Sequence, residues 1–283
     1  MEKNYIHIDG SKIYYEDSGG NKEALVCIHG FISSSWSWHP LINQLKKHFR
    51  VIAFDLPGFG KTKAAIHYKY TLSHYGETTI ALIEKLNLKK VHLVGHSLGG
   101  QIALQAVKLK PNFFDKLFLI AASAKRSRPF WLARLLCYIP YMDEAAYQFY
   151  FQDEIVDVAV AKVLSGGMGL EDTVLKPYID MCKKREVIKA VLKLGKDRED
   201  DMKEEELNKI THKTYLLWGR EDQVVTLEEG IFLKETLKNS TLAIIEHCGH
   251  LPMEEHTISV LHHLYSFFCP NFLNTGGDKL INI

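Results

Sequence analysis

Three short stretches carry side chains that could do nucleophilic chemistry together. Gly95-His96-Ser97-Leu98-Gly99 sets a hydroxyl between two glycines, Gly219-Arg220-Glu221-Asp222 ends in carboxylates, and Gly249-His250-Leu251-Pro252 offers an imidazole. A serine hydroxyl attacks poorly at neutral pH unless a base takes its proton, and an imidazole does this best when a carboxylate fixes its tautomer. Ser97, Asp222 and His250 are therefore the candidate nucleophile, orienting acid and general base. The glycines have a steric reason: a serine forced into a strained turn between strand and helix leaves no room for side chains two residues before and after it.

Each of these residues has rivals nearby. Glu221 stands beside Asp222 and is an open alternative as the acid. His247 lies nearer the preceding strand than His250, but the Gly-His-x-Pro pattern favours His250. Ala121-Ala122-Ser123 offers no carboxylate. His247, Cys248, His250, His262 and His263 cluster in sequence, yet none shows the helical i, i+4 histidine pair with a glutamate that a zinc protease uses. No metal and no organic cofactor is expected.

Such a trio needs elements that bring it to one place. Val91–Val94 reads as a buried strand, Gly95–Gly100 as a sharp turn, and Gln101–Lys108 as a helix closed by Pro111. Ser97 then stands at the carboxyl end of a strand, where the unpaired N–H groups of the following helix favour negative charge. Asp222 follows the strand Tyr215–Trp218, and His250 follows the strand Leu242–Ile245. The order Ser, Asp, His is the one used by a parallel sheet that carries such a turn.

The remaining strands are Tyr5–Ile8 and Lys12–Glu16 around the hairpin signal Asp9-Gly10-Ser11, then Ala24–Ile28, Phe49–Phe54 and Lys116–Ala121. Helices are expected around Trp36–Leu45, over Thr71–Leu86, from a capping box of Thr226 and Glu229 to Leu237, and up to Phe268. The fold class is α/β: a mostly parallel eight-stranded sheet with helices on both faces and a helical insertion after strand 6. Ligands collect beyond the carboxyl ends of such strands.

Residues 125–209 form that insertion, because a stretch this long must have structure of its own. Pro129–Ile139, Asp143–Gln152, Val156–Leu164 and Val174–Leu194 read as its helices, punctuated by Pro140 and by Ser165–Gly169. Phe130, Trp131, Tyr138, Tyr141, Tyr147, Phe149, Tyr150 and Phe151 make its first half aromatic, as packing against the main domain with some residues lining a pocket. Lys196–Lys209 reads as a solvated, mixed-charge linker. The domains are thus 1–124 and 210–283 for the two parts of the core, with a loose tail after Pro270, and 125–209 for the cap.

Composition excludes several classes of function. Across 283 residues, 35 Lys+Arg against 34 Asp+Glu leave a formal charge of +1, so no global field steers the chain toward nucleic acid or an anionic membrane. No apolar run reaches membrane-spanning length and the amino terminus lacks the secretory pattern, which gives a cytoplasmic expectation. Cys27, Cys137, Cys182, Cys248 and Cys269 are odd in number with no Cys-x-x-Cys pair, and are expected as reduced, mainly buried thiols.

Taken together, His29-Gly30-Phe31, Asp55-Leu56-Pro57-Gly58-Phe59-Gly60, the Gly95–Gly100 turn, Gly219–Asp222 and Gly249–Pro252 make the chain resemble the α/β-hydrolase superfamily, and specifically its cap-bearing serine hydrolases. The resemblance covers nearly the whole core. It implies an oxyanion hole from the backbone N–H groups of Phe31 and Leu98, and places His29 and Asp55 on structural turns rather than in a second acid–base pair. It implies hydrolysis of a carboxylic ester, thioester or lactone of a small hydrophobic substrate through an acyl-enzyme. The alternatives on the same fold are a carbon–carbon bond hydrolase of the meta-cleavage-product type, which tends to have a more glycine-rich loop than His29-Gly30-Phe31-Ile32, and a non-catalytic ligand receptor. Epoxide hydrolases and dehalogenases would need an aspartate at position 97. Oligomeric state is not readable from the sequence.

Overall fold

The computed structural model describes residues 1–124, 137–139, 142–149 and 171–270. The chain opens on a hairpin of β1 (Glu2–Ile8) and β2 (Ser11–Asp17), whose turn residues Asp9 and Gly10 both have positive φ, 44° and 78°. That is the turn a two-residue hairpin needs, and an Asp-Gly pair adopts it readily. β3 (Ala24–Ile28), β4 (Arg50–Phe54), β5 (Val91–His96), β6 (Phe114–Ile120), β7 (Lys213–Gly219) and β8 (Ser240–Ile245) complete one sheet in the order β1-β2-β4-β3-β5-β6-β7-β8. β1, β2 and β4 pair antiparallel, and all pairs from β4 to β8 are parallel.

Every residue of β3 is buried because both faces of the sheet are covered. Val26 and Ile28 face one core with α2 (Leu72–Lys85) and α3 (Leu98–Leu109), and Leu25 and Cys27 face the other with α1 (His39–Leu45) and the carboxyl-terminal helix. The period-2 alternation of side chains thus divides one apolar run between two cores. Thr71 caps α2 by accepting a hydrogen bond from the His74 amide at 3.2 Å.

Between β6 and β7 the chain carries α4 (Met142–Phe149), α5 (Asp172–Cys182), α6 (Arg185–Lys196) and a single turn, α7 (Glu204–Leu207). This is the helical insertion after strand 6. The single helix expected over Val174–Leu194 is two, separated at Lys184, whose backbone is extended. The cause is visible in the buried positions: Leu175, Tyr178 and Cys182 follow helical spacing, but the next, Val187, comes five residues on and breaks the period. The helix expected over Asp143–Gln152 is α4. Of the one expected over Pro129–Ile139, Cys137–Ile139 form a turn and the rest lies outside the described residues, as do Val156–Leu164, Ser165–Gly169, Phe130, Trp131, Tyr141, Tyr150, Phe151 and the tail after Pro270.

Two further expectations give way to longer-range hydrogen bonds. Lys196–Lys209 is not a simple solvated linker: Asp197 accepts from the Tyr70 amide at 3.1 Å, Glu199 from the Ser73 amide at 2.9 Å, and Asp201 from Gln101 Nε2 at 2.8 Å. The run is a strap bound to α2 and α3. Thr226 precedes α8 (Leu227–Thr236) but makes no side-chain cap: its side chain is hydrogen-bonded to Glu228, and the Glu229 carboxylate accepts from the Ala124 amide at 2.6 Å, beside the start of the insertion. After β8 come α9 (Pro252–Glu255) and α10 (Thr257–Phe268). All five cysteines are free thiols, with Cys27, Cys182 and Cys248 buried. Among the described residues no helix is long and apolar enough to cross a membrane.

Candidate active site

β5 is buried along its whole length and ends directly at Ser97, which takes φ 53° and ψ −118° before α3 begins at Leu98. A serine in this region is strained, and strain of this kind is held only where the surroundings leave no alternative. The surroundings are backbone. A Cβ on Gly95 would lie 2.5 Å from the Gly99 carbonyl oxygen and 2.7 Å from Gly100 Cα, and one on Gly99 would collide with the Ile28 carbonyl. Gly100 adds a third closure that the spacing did not single out, since its Cβ would strike Ala122.

The carboxyl ends of β7 and β8 are drawn together by the same device. A Cβ on Gly219 would collide with the carbonyls of Cys248 and Gly249, so only glycine lets the two turns approach. Across that approach His250 Nδ1–H donates to Asp222 Oδ2 at 2.7 Å, and Ser97 Oγ–H reaches His250 Nε2 at 3.1 Å. The carboxylate can only accept, which assigns the proton to Nδ1 and leaves Nε2 as the acceptor facing the serine. Asp222 Oδ1 accepts from the amides of Val224 at 2.8 Å and Val225 at 2.9 Å. All three residues are buried.

The rivals are placed elsewhere. Glu221 accepts from the Cys248 amide at 3.0 Å, while the imidazole Nδ1 of His250 is bonded to Asp222. His247 is exposed, and its carbonyl accepts from His256 Nε2 at 2.7 Å. His29 is fully buried: its Nδ1–H donates to the Gly30 carbonyl at 2.7 Å, its Nε2 accepts from the Leu56 amide at 2.9 Å, and burial holds its pKa below the usual value. Asp55 accepts from the amides of Ser35 and Lys61, both at 2.7 Å. His29 and Asp55 thus tie turns together. His263 shares a 2.8 Å hydrogen bond with Tyr215, and among the described residues no three His, Cys, Asp or Glu side chains converge as metal ligands would.

Leu98 opens α3, so its N–H has no acceptor within the helix. Phe31 follows Gly30, where a Cβ would stand 3.2 Å from Ser97 Cβ, so the loop after β3 runs past the serine. Two acidic residues beyond His250 were not singled out in the sequence. Glu255 accepts from the amides of Gly249 at 2.6 Å and Leu251 at 2.8 Å, clamping the loop on both sides of the histidine. Glu254 Oε1 accepts from the Tyr178 hydroxyl of α5 at 2.5 Å, while burial pushes its pKa up to about 8. Glu254 acts through a hydroxyl 76 residues away and Glu255 through amides of its own loop, and the mere presence of two glutamates gives neither signal.

A strand–serine–helix turn, with an acid and a histidine on the two following turns of a parallel sheet, defines an α/β-hydrolase architecture. Residues 23–257 match the family model described as alpha/beta hydrolase fold, and the chain belongs to that family. The hydrolase YugF of Bacillus subtilis (strain 168) is 32% identical over 263 residues, covering 92% of this chain and 95% of its own. The 2-hydroxy-6-oxononadienedioate/2-hydroxy-6-oxononatrienedioate hydrolase 1 of Pseudomonas putida is 26% identical, covering 86% of this chain and 87% of its own. The monoacylglycerol lipase abhd6-B of Xenopus laevis is 25% identical, covering 88% of this chain and 77% of its own.

Proposed function

We propose that this hydrolase cleaves carboxylic esters, thioesters or lactones of small hydrophobic compounds by two-step acyl transfer. Ser97 is the nucleophile, His250 the general base and Asp222 the residue that fixes its tautomer. Ser97 Oγ attacks the carbonyl carbon as His250 Nε2 takes its proton. The carbonyl oxygen becomes an anion facing the amides of Phe31 and Leu98, where the amino end of α3 adds its own favourable field. His250 returns the proton to the leaving group, and a water activated by the same imidazole releases the acyl group and restores Ser97. Residues 125–209 are the cap over this site, and residues 1–124 and 210–283 are the core that carries it.

The observation that carries this reading is the continuous hydrogen-bonded chain from Asp222 through His250 to Ser97. The test is turnover of p-nitrophenyl esters, thioesters and lactones by the wild type and by Ser97→Ala. The substitution should lower kcat by up to about a millionfold with the fold intact. A variant with near wild-type turnover would sink the assignment.

The Pseudomonas relative supports a second reading, hydrolysis of a carbon–carbon bond beside a ketone, which would use the same three residues. A 2-hydroxy-6-oxo-dienoate assayed beside the esters separates the two. Rapid labelling of Ser97 by a fluorophosphonate without turnover of any of these compounds would point instead to a ligand receptor on the hydrolase fold.

A further inference from the structure

His96, the last residue of β5, plays no part in the proton transfers just described, yet it is buried against their centre. Its Nε2 lies 2.8 Å from the backbone carbonyl oxygen of His250, and the two imidazole centroids are 4.9 Å apart. A carbonyl can only accept, so Nε2 carries the proton and Nδ1 bears the lone pair. That Nδ1 has no hydrogen-bond partner among the described residues, and a Cβ on Gly30 would stand 2.8 Å from it. Burying an imidazole with one nitrogen unsatisfied costs free energy that an apolar side chain of the same size would not. An isolated packing role does not explain that cost.

We propose that His96 is a positioning residue for the general base: His96 and Ser97, adjacent in sequence, hold His250 at both ends, one by its backbone carbonyl and the other by its imidazole. This rests on the reading of Ser97 and His250 as nucleophile and base. β5 and the strained turn then fix the base and the nucleophile from one rigid point, in addition to the Asp222 bond and the Glu255 clamp on the loop after β8. Two observations make a histidine suited to the task. Its ring spans from the strand end to the His250 carbonyl, and Gly30 leaves it the space. Burial, with the charge of His250 next, pushes its pKa down to about 3, so it stays neutral. A second cation therefore never opposes the imidazolium that forms on His250 during catalysis.

The experiment compares His96→Gln, whose amide N–H can reach the same carbonyl, with His96→Met, which fills similar volume without a donor. Ester kinetics, fluorophosphonate labelling of Ser97 and thermal unfolding are measured on each. Misplacing a catalytic group by a fraction of its working distance costs up to about a hundredfold in rate. His96→Met should accordingly lose about 10–100-fold in kcat and in labelling rate together, with KM unchanged, while His96→Gln stays within about threefold of the wild type. Met at wild-type rates, or Met and Gln impaired equally at matched stability, overturns the proposal. Failure of the wild type to label at Ser97 overturns it together with the reading it rests on. Should neither variant fold, nitrogen-15 spectra of the wild-type histidines decide: His96 must appear as the neutral Nε2–H tautomer at neutral and mildly acidic pH, and an Nδ1–H or charged ring overturns the proposal.

Discussion

Asp222 divides its carboxylate between two tasks: Oδ2 accepts from His250, while Oδ1 is held by the amides of Val224 and Val225. The second set fixes the plane of the group, and with it the tautomer of the imidazole. In Asp222→Asn the amide would retain the shape but present N–H where His250 needs an acceptor, driving the ring proton to Nε2. A protonated Nε2 cannot take the hydroxyl proton, so kcat should fall about 10⁴-fold with the site otherwise intact. Steady-state kinetics on one p-nitrophenyl ester measures this, and turnover within tenfold of wild type would remove Asp222 from its role. At this scale the sequence foretells which side chains meet where a residue type and its turn coincide, as for Ser97 between its glycines and His250 before Leu251-Pro252, which the structure hydrogen-bonds together. It reads poorly between neighbours: Glu221 and Asp222 are adjacent carboxylates, and only the turn after β8 separates them, its Cys248 amide meeting Glu221 and its His250 imidazole meeting Asp222.

Elements were legible wherever local period and burial agreed. The strand Val91–His96, the turn and α3 follow from a buried run, paired glycines and helical spacing, and the hairpin follows from Asp9-Gly10. Several ionisable groups in the insertion and beyond β8 behaved otherwise, because their partners lie far along the chain. Charge in the run after Lys196 suggests solvent, yet Asp197 bonds Tyr70 just before α2, and Glu199 and Asp201 bond α2 and α3. Glu254 is the extreme case, a buried carboxyl joined to Tyr178 of α5, with Glu255 beside it and a phenol that burial keeps from ionising. Its pKa is raised from 4.5 to about 8, so across that interval the folded chain holds a proton that the unfolded chain has lost. Stability must then be fullest below the ordinary carboxylate pKa, fall as pH rises toward about 8, and level off above it, by roughly 1–4 kcal/mol in all. Glu254→Gln should reduce that slope in urea unfolding followed from pH about 5 to about 8. It should not abolish it, because burial raises Glu255 in the same direction. An unchanged slope would mean that Glu254 is ionised in the folded protein.

On the scale of the whole molecule, the sheet collects Ser97, Asp222 and His250 at one edge, and the insertion is tied down on two sides of that edge. Tyr178 of α5 meets Trp36, in the loop after β3, with ring centroids 5.4 Å apart, and bonds Glu254 beyond β8. The strap after α6 bonds the first turn of α2 and Gln101, one turn along α3 from Ser97. On the proposed reading the core sets the reaction and the insertion sets what reaches it. If residues 125–209 cover the site as proposed, the richness of residues 130–151 in aromatic side chains makes that cover apolar. An acyl chain lying beneath it would gain about 0.8 kcal/mol for each CH₂ removed from water, or about fourfold in kcat/KM. The series from p-nitrophenyl acetate to hexanoate should therefore rise by that factor per methylene until the pocket is filled, with the gain vanishing in Ser97→Ala. A profile that is flat or falls from acetate would exclude an apolar roof over the acyl group while leaving the triad untouched, since the coupling of Ser97, His250 and Asp222 does not depend on what covers them.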